Sequence, residues 1–104
     1  MRHFSAPQLA TYLEKAQPLL VDVREPWEFD ICNIDGSVNI PMGQVPQQLA
    51  AIDAADEAVI ICHHGIRSQQ VIHYLESQSV ENLINLDGGV DGWAREIDTD
   101  MALY

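Results

Sequence analysis

Positive charge is scarce in this 104-residue chain: 5 Lys and Arg stand against 16 Asp and Glu, for a net charge of −11. A surface of that sign repels phosphate backbones and anionic lipid, which argues against nucleic-acid and membrane partners. Long apolar runs are missing as well. No segment approaches the roughly 18 residues of a membrane span, and Met1-Arg2-His3-Phe4-Ser5 lacks the apolar core of a secretory signal. A cytoplasmic location is the expectation. Cysteine is limited to Cys32 and Cys62, and in a reducing compartment both are expected as free thiols rather than a disulfide. With no linker, repeat or low-complexity tract in view, residues 1–104 read as one domain, and a hydrophobic content of 47% suffices for its core.

What is present is organised around Val59-Ile60-Ile61-Cys62-His63-His64-Gly65-Ile66-Arg67-Ser68. A β-branched apolar run stops at a cysteine, a polar loop with one glycine follows, and Gln69 to Gln78 has helical periodicity. A loop at a strand-to-helix junction can turn successive backbone N–H groups toward the Cys62 sulfur, and the helix N-terminus adds partial positive charge. Both favour an anion. Gly65 supplies the positive φ such a cradle needs, and Arg67 either stabilises a thiolate or clamps an anionic substrate. The competing reading is a small buried hydrophobe, the usual fate of a cysteine ending an apolar strand. The Gly, the Arg and the helix start around Cys62 favour the reactive one.

Upstream, Ser5-Ala6-Pro7-Gln8 has the form of a capping box, Phe4 and Leu9 fit a hydrophobic staple, and Leu9 and Leu13 give a buried stripe to a helix reaching about Ala16. Leu19-Leu20-Val21-Asp22-Val23 is apolar without alternation apart from Asp22, which marks a strand buried on both faces and hence a parallel sheet. Asp22 there needs a partner, and Arg24 or nearby amides supply it; a scaffolding ion pair is expected. Pro26 opens a short helix to about Ile31, Val38-Asn39-Ile40-Pro41 is extended, and Val45, Leu49 and Ile52 mark an amphipathic helix. Asp53 to Glu57 reads as solvated. Leu83-Ile84-Asn85-Leu86 is the last strand, Asp87-Gly88-Gly89 a turn, Val90 to Glu96 a helix with Trp93, and Ile97 to Tyr104 a loose end or added turn. Strands alternating with helices predict an α/β domain, three layers α/β/α around a mainly parallel sheet. Its site is expected beyond the carboxyl ends of the strands, where Asp22, Arg24 and Cys62 fall.

Four stretches in this order make the chain resemble the rhodanese (sulfurtransferase) family: Leu20 to Glu25 with Glu28-Phe29; Ile34 with Gly36 to Pro41; Cys62 to Ser68; and Leu86 to Gly89 with Trp93. The resemblance implies that Cys62 accepts a sulfane sulfur from a donor such as thiosulfate, becomes a persulfide, and passes the sulfur to cyanide, a thiol or a protein cysteine. It implies substrate-binding roles for His63, His64, Gly65, Ile66, Arg67 and Ser68, and a scaffold of Asp22 and Arg24. No cofactor is implied. Cys62 to Arg67 spans six residues, the loop length of sulfur-transferring members; related phosphatases and arsenate reductases carry one residue more, which suits a tetrahedral oxyanion. Cys32-Asn33 replaces the glycine and histidine frequent in relatives. His63 and His64 stand where many thiosulfate-using members have Arg or Lys, leaving Arg67 as the permanent cation.

Adjacent histidines in a tight loop are expected to diverge, so His63 and His64 read as donors that gain charge below about pH 6.5 rather than as metal ligands. Cys32 as a thiol that resolves a Cys62 persulfide stays open, since the roughly 6 Å Cα reach of a disulfide cannot be read from spacing. Trp27, Phe29 and Trp93 read as core or rim aromatics. Besides sulfur transfer, two functions are in play: a persulfide carrier for a basic partner protein, and a small phosphatase or arsenate reductase.

Overall fold

The computed structural model describes residues 1–104. Five parallel strands, β1 (Arg2–Phe4), β2 (Leu19–Asp22), β3 (Val38–Asn39), β4 (Ala58–Ile61) and β5 (Leu83–Leu86), lie in the order β1-β5-β4-β2-β3. The helices are α1 (Ala6–Tyr12), α2 (Pro26–Ile31), α3 (Leu49–Ala54), α4 (Arg67–Ser77) and α5 (Gly89–Glu96). Period-2 alternation along the strands splits the core in two. Ala58, Ile60 and Cys62 share one face with Val21, Val23, Ile52, Val71, Ile72 and Leu75. Val59 and Ile61 turn to the other, against Ala6, Leu9, Ile84, Leu86, Val90 and Trp93. The expected layered parallel architecture is therefore present, with β4 at its centre.

Three local expectations are corrected. Arg2–Phe4 is an edge strand paired with β5, unread in the sequence because three mixed residues carry no periodicity. The capping box on Ser5 is present, yet α1 ends at Tyr12 rather than near Ala16. The stretch around Val45 is a 3₁₀ helix, Met42–Gln48, before it becomes α3; Pro46 removes an amide that an α-helix there would use. At the end of the acidic stretch Asp53 to Glu57, Glu57 is half-buried and accepts from Arg2 and the Tyr12 hydroxyl.

Candidate active site

β4 delivers Cys62 to the carboxyl edge of the sheet, and α4 begins five residues later at Arg67. Between them Gly65, at φ +97°, turns its N–H onto the Cys62 sulfur at 2.9 Å. A side chain there would meet the Gly88 nitrogen at 3.1 Å. Cys62 is 1% exposed and packs with the aliphatic cluster of its own face. The sulfur is thus buried and also receives an amide. Of the loop amides from His63 to Arg67, that of Gly65 is the one that donates to the Cys62 sulfur itself.

The loop is shaped from outside by α5. The N–H of Val90 donates to the Cys62 carbonyl at 2.8 Å and that of Asp91 to the His63 carbonyl at 3.0 Å. Two carbonyls of the loop thus fill the open N-terminal turn of a helix. Gly89 makes this approach possible: a Cβ on it would lie 2.4 Å from the Cys62 carbonyl oxygen, at φ +58°. The Gly88-Gly89 pair, read in the sequence as a turn, is the clamp on the loop.

Ser68, fully buried in the first turn of α4, lies with its hydroxyl oxygen 3.3 Å from the Cys62 sulfur. The hydroxyl donates to the side-chain carbonyl of Asn85. Asn85 in turn donates its amide to Asp87 at 2.7 Å, and Asp87 Oδ1 is 2.8 Å from His3 Nδ1. Asn85 is the single polar residue in β5, and that interruption of an apolar strand was the signal in the sequence.

Arg67 does not stand free. Its guanidinium grips Glu28 through two bonds, 2.8 and 2.9 Å, and Glu28 is 4% exposed. The pair pins α4 to α2. Arg67 holds the Glu28 carboxyl down at about 2 against the opposing cost of burial, helped by the Glu25 amide and Tyr104. Glu28 raises Arg67 in return. Arg67 is therefore a paired cation rather than a lone one: Glu28 takes the Nη1–Nη2 edge of its guanidinium, while the side chain stays 35% exposed.

The expected Asp22–Arg24 pair is present, with both side chains fully buried and Arg24 Nη2 2.6 Å from Asp22 Oδ2. Arg24 also donates to the carbonyls of Glu28 and Cys32. Tyr104 joins the two ion pairs: it accepts from Arg24 Nη1 and donates to Glu28 Oε2, each at 2.8 Å. Burial, and the bond to Glu28, push its hydroxyl up to about 12 despite Arg24, so it remains a donor. The tail is therefore not a loose end. Nothing local in Ile97–Tyr104 pointed to this, since both partners lie more than 70 residues away.

His63 and His64 do not diverge. Their rings stack at 3.9 Å, and the other face of His63 lies on Tyr104 at 4.0 Å and 4°. With Asp91 they place three donor atoms within 4.8 Å of one another, although Arg95 already donates to Asp91 at 2.9 Å. Burial, then the neighbouring His64, lower His63 below the ordinary imidazole value, against the pull of Asp91 and Glu28. His63 thus charges at lower pH than the sequence reading assumed. Trp27, 61% exposed, sets its edge on Tyr104, while Trp93 is core.

Cys32 sits on the opposite face of the sheet from Cys62, among Leu20, Ile34, Val59 and Ile61. The sheet separates the two thiols, which removes the resolving role.

Over residues 5–96 the chain matches the family model described as Rhodanese-like domain. It is 32% identical over 89 residues to the thiosulfate sulfurtransferase GlpE of Tolumonas auensis, covering 86% of this chain and 84% of that protein. It is 32% identical over 100 residues to the probable adenylyltransferase/sulfurtransferase MoeZ of Mycobacterium tuberculosis, covering 93% of this chain and 26% of that protein. The chain thus spans about a quarter of the adenylyltransferase relatives it matches. Among solved structures, a rhodanese-like domain protein of Staphylococcus aureus superposes with a TM-score of 0.80 at 29% identity, over 89% of this chain and 91% of that one. With strand order, loop and these matches in agreement, the chain belongs to the rhodanese-like domain family.

Proposed function

We propose that this protein is a sulfurtransferase working through a persulfide on Cys62. The Cys62 thiolate attacks the outer sulfur of a donor such as thiosulfate; an S–S bond forms, the old one breaks, and sulfite leaves with the electron pair. A thiophilic acceptor, cyanide or a thiol, then takes the outer sulfur, and Cys62 departs as thiolate. The observation carrying this reading is the Gly65 N–H on the Cys62 sulfur at 2.9 Å within a six-residue loop. A six-residue loop suits a single sulfur carried on the cysteine; a phosphate or arsenate must fit wholly inside the ring of donors. Single-domain relatives named thiosulfate sulfurtransferase support the same class.

In this reading His63, His64, Gly65, Ile66, Arg67 and Ser68 form the wall a donor meets. Arg67 and Glu28, and behind them Asp22 and Arg24, hold that wall in place. Intact-mass measurement after thiosulfate treatment tests it: a gain of about 32 Da, one sulfur, that is absent in Cys62→Ala is the expected result of a covalent intermediate. Phosphate release from an aryl phosphate, without sulfur uptake, would overturn it.

A second reading, a carrier loaded by a protein persulfide, is favoured by the pairing of both site guanidiniums with carboxylates. A small dianion finds no unpaired arginine there. The net charge of −11 would steer a basic partner. Loading that is fast from a persulfidated protein, slow from thiosulfate and weakened by salt would select this variant.

A further inference from the structure

The chain of side chains behind the sulfur has a direction. Asp87, as a carboxylate, only accepts hydrogen bonds, so the Asn85 group facing it at 2.7 Å is the amide N–H₂. That choice turns the Asn85 carbonyl toward Ser68. A carbonyl only accepts, so the one hydroxyl hydrogen of Ser68 is spent on it. What Ser68 then offers Cys62, at 3.3 Å, is a lone pair. Both Ser68 and Asn85 are fully buried, so bulk solvent does not reach the arrangement. Asp87 is anchored in turn by His3, at the surface end of the chain.

We infer that Asn85 and Asp87 are positioning residues that lock the Ser68 hydroxyl as a hydrogen-bond acceptor toward Cys62, disfavouring the free thiolate relative to the thiol and the persulfide. The inference rests on Cys62 being the sulfur-carrying residue. A thiol donates its S–H to Ser68 and accepts from Gly65, so both contacts are satisfied. In a persulfide the negative charge sits on the outer sulfur, and the inner sulfur facing Ser68 is neutral. The thiolate alone sets a charge against a lone pair, with the Gly65 N–H as its hydrogen bond. An amide does not pass protons along, so the chain orients and does not conduct. Its consequence is retention: sulfur once loaded stays until an acceptor arrives, because release must generate the least favoured state.

Other charges around Cys62 are Arg67 paired with Glu28, the stacked His63 and His64 with Asp91, and the Asp22–Arg24 pair bridged by Tyr104. The variants below leave all of them in place. The test is the pH profile of Cys62 alkylation by iodoacetamide in the full chain, read by mass of the Cys62 peptide. Asn85→Leu keeps the shape of the side chain and removes the acceptor, which frees the Ser68 hydroxyl to donate to sulfur. Its midpoint is expected to fall by about one pH unit, the size of one charge-assisted hydrogen bond. Ser68→Ala removes the opposing lone pair and is expected to lower the midpoint by about half a unit. In Asn85→Leu/Ser68→Ala the midpoint equals that of Ser68→Ala alone. A midpoint that stays or rises in Ser68→Ala means the hydroxyl donates to thiolate, and overturns the inference; so does an unmoved midpoint in a folded Asn85→Leu. If Asn85→Leu does not fold, the sign in Ser68→Ala decides. Sulfur loading is scored separately, so a chain that gains sulfur without these shifts loses this inference and keeps the sulfurtransferase reading.

Discussion

The two cysteines make an instructive pair. Both end an element, both are buried, and both lie against a nitrogen donor: Cys62 against the Gly65 amide at 2.9 Å, Cys32 against Arg24 Nη1 at 3.9 Å. Burial therefore does not tell them apart. The difference is what surrounds each donor. Arg24 is occupied by Asp22, Tyr104 and two carbonyls, and Cys32 only fills a gap beside it. The Gly65 amide sits in a loop whose outer carbonyls are held by α5, and the sulfur is its partner. A cysteine becomes a site when the backbone around it has been bought off elsewhere.

The sharpest way to break this contrast is to exchange the thiols. Cys62→Ser is expected to abolish sulfur uptake by intact mass, whereas Cys32→Ser keeps it, since the hydroxyl meets the same guanidinium. Equal losses in both would erase the distinction. Next comes the clamp: Gly89→Ala forces a Cβ to within 2.4 Å of the Cys62 carbonyl oxygen at positive φ, and is expected to cost about 3–5 kcal/mol in urea denaturation. Gly88→Ala, with φ +80° but no contact closer than 3.6 Å, is expected to cost less.

Glu28→Gln tests whether the loop depends on its ion pair. It leaves Arg67 half-buried without a charge partner, at an expected cost of about 2 kcal/mol. The pH dependence has a defined sign. Because the folded Glu28 value is about 2 against an ordinary 4.5, its stabilising contribution is complete above about pH 4.5 and is lost as pH falls toward 2. Acid titration of stability should show that loss in the native chain and not in Glu28→Gln. Smallest is Tyr104→Phe, which removes the hydroxyl shared by Arg24 and Glu28 and is expected to cost about 1 kcal/mol. It is the one substitution that touches the surroundings of both cysteines, so a change in alkylation at both sulfurs would show them to be coupled.

The legible parts were those with local causes. Ser5 and Gln8 announce the start of α1, the unbroken apolar run through Val21 announces a doubly covered strand, and Cys62, Gly65 and Arg67 announce a strand–loop–helix junction. Asp22 and Arg24, two residues apart, were also within reach. Glu28 was not, although it stands in a quoted stretch, because its partner Arg67 is 39 residues away. Asn85 was visible as an intrusion in an apolar strand, but its role depends on Ser68, 17 residues earlier. The stacking of His63 and His64 was not legible either, since His63 also lies on Tyr104, a residue far along the chain.

By itself the sequence determined the alternation of strands and helices from β2 onward, the parallel sheet and the cysteine on which it converges. Periodicity, capping and turn chemistry act between near neighbours and leave their mark on the order of residues. Only the tertiary structure decided which charges are spent on each other, which face each thiol occupies and which way the hydrogens behind Cys62 point. Those outcomes depend on groups brought together across the chain, in a buried space where every donor must find an acceptor.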